Sequence, residues 1–201
     1  MGRVKSTRSK STPKYVLNEA PWKKIGRSYE KITKSDLKRL LKLTKDDHKD
    51  FIRRHPKYKN LKVLSICLCQ GGALHYLDGK TGIRDFDTYI FFERNQSIRY
   101  PCRRRGFGDF GESKFGKTYI NPSNSQSVNK YTQAKGRYVD IMGREIDNID
   151  NDYEKSIQNY LKEPKSATPY FLSQKAAVVL EPINDLGKII WPLNAQTDDS
   201  N

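Results

Sequence analysis

The chain has 201 residues, a length that suits one domain of ordinary size plus extensions. Only 35% of the residues are hydrophobic and the mean hydropathy is -0.84, with no apolar run near the roughly 20 residues a membrane span needs, which excludes a membrane-spanning helix. The formal net charge is +15, and residues 1–62 hold 20 Lys/Arg against 6 Asp/Glu, so nearly all of the excess lies in the first third.

In chain order, residues 1–14 are basic, rich in Ser and Thr and aperiodic, and read as a disordered arm. MGRVKSTRSK has no apolar segment of a secretory signal; MGRVKS fits the loose myristoylation pattern, which is too short to carry an assignment. Residues 15–60 read as a basic helical extension. Leu37, Leu40 and Leu41 recur at helical spacing after a Thr/Ser/Asp start, Phe51 and Ile52 extend that helix or begin another, and His55-Pro56 ends it. The opposite face carries Lys38, Arg39, Lys42, Lys45 and Lys49, a pattern shared by DNA-reading helices and by solvated helices packed on a domain. The basic third as a whole attracts polyanions, RNA or DNA, through counterion release.

Residues 61–145 hold the chemistry. An apolar run at 62–69 predicts a buried strand, GGALHYLDG a glycine turn opening a short helix, KTGI a turn, and DFDTYIFF a second strand. YPCRRRGFGDFGESKFGK is glycine-punctuated and reads as a shaped loop, and GRYVDIMGREI as a third strand. Within 146–195, Ile146, Ile149, Tyr153, Ile157 and Tyr160 or Leu161 recur as a helical stripe, which Pro164 stops. A second helix is expected from Thr168-Pro169 through Phe171, Leu172, Lys175, Ala176, Val179 and Leu180. LGKIIWP suggests an edge strand, and 196–201 a polar tail. Cys67, Cys69 and Cys102 lack zinc-type spacing, and the first two share one strand face as core residues, consistent with a reduced, cytoplasmic protein. The fold class expected is α/β (α+β): a small mixed β-sheet with packed helices.

Alternation along a strand puts Asp85, Asp87 and Tyr89 on one face and Phe86, Thr88 and Ile90 on the other. Two carboxylates about 6 Å apart repel by roughly 3 kcal/mol at an effective dielectric near 20, a cost that a cation between them would remove. Asp140, flanked by apolar neighbours in YVDIM, offers a third carboxylate. Oxygen donors with open positions suit Mg²⁺ (or Mn²⁺), which keeps water and takes substrate phosphate oxygens. Gly71 and Gly72 allow a phosphate to approach the backbone at a helix start. Arg103, Arg104 and Arg105, with Lys114, supply cations that could meet a triphosphate. Each aspartate also has a purely structural reading: Asp85 capping a turn, Asp87 paired with Arg84 or Arg105, Asp140 with Arg137 or Arg144. The letters DFG occur at 109–111 without the other segments of a kinase, His75 reads as a packed histidine, and Ser113 has no partner base.

This order of elements resembles the DNA polymerase beta-type nucleotidyltransferase superfamily: strand, Gly-Gly, short helix, strand with Asp-x-Asp, and a third acidic residue on a later strand, over residues 62–143. Gly72 stands where many members have Ser. The resemblance implies metal-binding roles for Asp85, Asp87 and Asp140, with Asp140 also positioning or deprotonating the attacking hydroxyl. It implies a nucleoside triphosphate (NTP) held at Gly71 and Gly72, and a Mg²⁺-dependent transfer of a nucleoside monophosphate to an acceptor hydroxyl. RNA is the acceptor favoured by the basic third. The alternative is a nucleic-acid-binding or regulatory module on the same scaffold with a silent acidic site.

Overall fold

The computed structural model describes residues 26–101, 105–119, 134–162 and 175–193. Among these residues three α-helices, α1 (Lys34–Arg54), α2 (Gln70–Asp78) and α3 (Tyr153–Lys162), pack with a six-stranded mixed sheet. The strands are β1 (Val63–Cys69), β2 (Phe86–Glu93), β3 (Arg105–Asp109), β4 (Tyr138–Ile146), β5 (Ala176–Glu181) and β6 (Ile189–Trp191). Their spatial order is β3-β4-β2-β1-β5-β6. The β2–β4 pair is parallel and the other pairs are antiparallel. Among the described residues no helix is long and apolar enough to cross a membrane.

Helix α1 starts where Thr33 and Asp36 form a reciprocal capping box, the Asp36 carboxylate accepting from the Thr33 amide at 2.8 Å. It runs unbroken for 21 residues and stops at His55, since Pro56 disfavours helical backbone in the residue before it. Leu37, Leu40, Leu41, Thr44 and Phe51 form its buried stripe, and each fully buried Leu contributes about 2 kcal/mol. The segment read as an extension thus lends its helix to the same core as the sheet. Thr44 in that stripe hydrogen-bonds Thr88 of β2 at 2.9 Å, and Lys45 pairs with Glu181 of β5 at 2.9 Å.

The sheet separates two apolar clusters. Ile66, Leu68, Phe86, Ile90, Phe92, Val139, Ile141, Val178 and Leu180 pack under α1 and α2. Cys67, Cys69, Tyr89, Phe91, Met142, Ile146, Ala177 and Val179 face the other way, joined by Ile157 and Leu161 of α3. These assignments alternate along β1, β2, β4 and β5, as a pleated sheet requires.

Three expectations differ. Ile146 and Ile149, placed on the helical stripe, precede the helix: Ile146 ends β4, Ile149 bridges to Asp152, and α3 begins at Tyr153. Ala176, Val179 and Leu180, read as helical, lie in β5; Thr168, Pro169, Phe171 and Leu172 fall outside the described residues. AAVVL is apolar at every position because β5 is buried on both faces, and a continuous apolar run satisfies the helical and the strand period equally. RGFGD, read as loop, is the edge strand β3. Gly106 reflects close packing with α1: a Cβ there would stand 2.2 Å from Asp47 Oδ2, whereas one on Gly108 would meet its neighbours at ordinary contact distance.

Candidate active site

The register of the parallel pair sets Asp87 of β2 directly beside Asp140 of β4. Both belong to the face that carries Tyr89 and Met142 further along, so their carboxylates project from neighbouring strands about 5 Å apart. Asp140 is only 4% exposed, whereas Asp87 is half-buried. The same transverse row continues to Phe107 on β3, which pairs with Asp140, and to Cys69 on β1, which pairs with Asp87.

At the end of β1 the chain turns from strand to helix at Gln70, whose φ of 54° is left-handed, a conformation that costs a side-chain-bearing residue about 1 kcal/mol or more. The turn delivers the Gln70 amide to the acidic row. Its Nε2 donates to Asp87 Oδ1 at 3.0 Å and to the Tyr89 hydroxyl at 3.1 Å. Burial, its largest influence, raises the Tyr89 pKa, and the Arg144 guanidinium lies 5.3 Å from the centre of its ring. Burial also lifts the Cys67 thiol to about 12 and the Cys69 thiol well above its ordinary value, so both remain protonated at neutral pH.

Asp85 stands just outside β2 and is engaged differently. Arg84 Nη2 donates to its Oδ2 at 3.2 Å. Arg137 is 3% exposed and donates to the carbonyls of Phe115 at 3.0 Å, of Arg84 at 2.9 Å and of Gly26. Burial pulls the Arg137 pKa down, and the nearby Asp85 charge opposes that pull. Among the described residues, no three His, Cys, Asp or Glu side chains are gathered closely enough to hold a metal ion.

The other expected contacts divide. A Cβ on Gly71 would meet nothing within 4 Å, leaving room for a ligand against the start of α2. Gly72 faces the core instead, where a Cβ would come within 3.2 Å of Leu68. Lys114 is 2.9 Å from Asp36 on α1 and caps the Phe115 ring, a place on the α1 side of the sheet rather than on the acidic face. Arg105 sits opposite Met142 in the β3–β4 register, and Arg103 lies outside the described residues. His75 is buried with its Nε2 3.1 Å from the Glu30 carbonyl.

Gln70 and Phe107 join the acidic row without a signal in composition or periodicity. The one available hint for Gln70 was its place between a strand and a diglycine. Comparison with protein-family models, with curated proteins and with solved structures returned no match.

Proposed function

We propose that the protein is a Mg²⁺-dependent nucleotidyltransferase that moves a nucleoside monophosphate from an NTP to an acceptor hydroxyl. The hydroxyl oxygen bonds to the α-phosphorus, the bond from that phosphorus to the bridging oxygen breaks, and pyrophosphate leaves. The observation that carries this reading is the in-register Asp87–Asp140 pair on one sheet face, in the same row as the strand end from which α2 begins. Two carboxylates suffice for Mg²⁺, which binds through one or two of them and completes its shell with water and phosphate oxygens. Asp87 and Asp140 would hold the ion, and its chemistry there is neutralisation of charge on the phosphates.

Within the chain's own residues, Gln70 donates to the Asp87 carboxylate and so fixes it, and Asp140 would accept the proton of the attacking hydroxyl. The first turn of α2 has no side-chain cap, so its amides are suited to phosphate oxygens, with open space at Gly71. RNA is the acceptor class that the basic first third favours.

The test is incubation with α-labelled NTPs and Mg²⁺, comparing the parent with Asp87→Ala. Label transfer should fall at least a thousandfold, about 4 kcal/mol. Transfer that survives the substitution ends the reading.

The Arg84–Asp85 pair and the lack of a three-carboxylate group among the described residues favour a second reading, a nucleic-acid-binding module with a silent acidic face. That module binds RNA with steep salt dependence, loses much of this affinity when residues 1–14 are deleted, and transfers no label.

A further inference from the structure

We propose that Phe107 is the platform on which the base of the nucleoside triphosphate stacks, an assignment that rests on the nucleotidyltransferase reading. Phe107 lies on the edge strand, directly across from Asp140, and so faces the side of the sheet that carries the acidic pair. It is 40% exposed. The exposed part of the ring therefore belongs to the same side of the sheet as the acidic pair.

The ring is braced from below. Tyr138, 5% exposed and on the same face of β4 as Asp140, sets its ring centre 5.5 Å from that of Phe107 at a tilt of 44°. Gly106 and Gly108 flank Phe107 and face α1, so Phe107 gives this short strand its aromatic surface on the acidic side.

The spacing suits a nucleotide. Phe107, Asp140 and Asp87 occupy successive strands, so the ring stands one strand spacing from Asp140 and two, about 10 Å, from Asp87. A nucleoside triphosphate laid along this row puts its base on the ring and its phosphates at the acidic pair, with ribose between. Stacking tolerates any base, since every base has a π-face, so Phe107 holds the nucleotide without choosing among the four.

The experiment is calorimetric titration of the full chain with ATP, GTP, CTP, UTP and inorganic tripolyphosphate in Ca²⁺, with circular dichroism on each variant to verify the fold. Phe107→Ala and Phe107→Leu should weaken NTP binding about tenfold while leaving tripolyphosphate unchanged, and Phe107→Trp should keep NTP affinity. NTP affinity within about twofold of the parent in both Phe107→Ala and Phe107→Leu overturns the platform, as does equal weakening of tripolyphosphate, which marks a structural role. If such a result comes with label transfer that depends on Asp87, only the platform fails. A parent that binds no NTP, or transfer indifferent to Asp87→Ala, overturns the nucleotidyltransferase reading along with it.

Discussion

Under α1 and α2 the sheet presents Phe86, Thr88 and Ile90 from β2 and Val139 and Ile141 from β4, all of them fully buried. One residue along each strand, the opposite face presents Asp87 and Asp140. The first face closes on itself: the Phe86, Phe110 and Phe115 rings stand 5.0 to 5.5 Å apart, edge to face or tilted. On the second, α3 sets Ile157 and Leu161 against one end of the sheet and Tyr160 lies 6.1 Å from Phe91. Toward the other end of β2 and β4 the apolar side chains give way to carboxylates. The two faces share a backbone and differ in what burial is asked to do. One is assembled to remove apolar surface from water, and the other keeps an acidic pair that burial alone would penalise.

The sharpest test of that division uses chain neighbours. Phe86→Ala should cost about 4 kcal/mol in denaturant unfolding, because a fully buried ring in an aromatic trio leaves a cavity. Asp87→Ala, one residue on, should change unfolding by less than about 1 kcal/mol while removing transfer. Equal effects of both substitutions on stability would erase the distinction between the faces.

A smaller effect is expected at Gln70. Gln70→Gly relieves the left-handed backbone and should match or exceed the parent in thermal stability. It also removes the amide that fixes Asp87, so transfer should fall about 10- to 100-fold, with the Mg²⁺ concentration for half-maximal rate moved upward. A variant that is both more stable and fully active would show that the strained turn does nothing for the acidic row.

The smallest effect concerns the hinge between the β3 end and residues 134–136. Partial burial would raise the Asp109 pKa, but three main-chain amides, of Lys135 at 2.7 Å, Gly111 at 2.8 Å and Gly136 at 3.0 Å, outweigh it and hold the carboxylate below its ordinary value. A depressed pKa in the folded state adds stability above the unfolded value near 4, and that contribution is lost as the pH falls through the folded value. Asp109→Asn should therefore cost no more than about 1 kcal/mol at pH 7, given the exposure of the carboxylate, and nothing in strong acid. A deficit that persists unchanged at low pH would assign the loss to something other than the charge.

Much of this molecule is written locally. The alternation in DFDTYIFF puts aspartates and aromatics on opposite faces, the Thr33–Asp36 box and His55-Pro56 bound α1, and the apolar runs mark β1, β2 and β4; each depends on neighbours a few residues away. Length of contact is where sequence reading stops. Whether Asp87 meets Asp140 depends on the register of strands whose pairing residues stand 53 positions apart, since a shift of one would turn one of them to the other face. The same limit hid β5, apolar on both sides because the α1/α2 cluster packs on one face and the α3 cluster on the other, and β3, whose Gly106 is explained by a helix some 60 residues earlier in the chain. Side-chain periodicity fixes which residues share a face of an element; only packing decides which elements lie side by side, and hence that Gln70 and Phe107 join the acidic row.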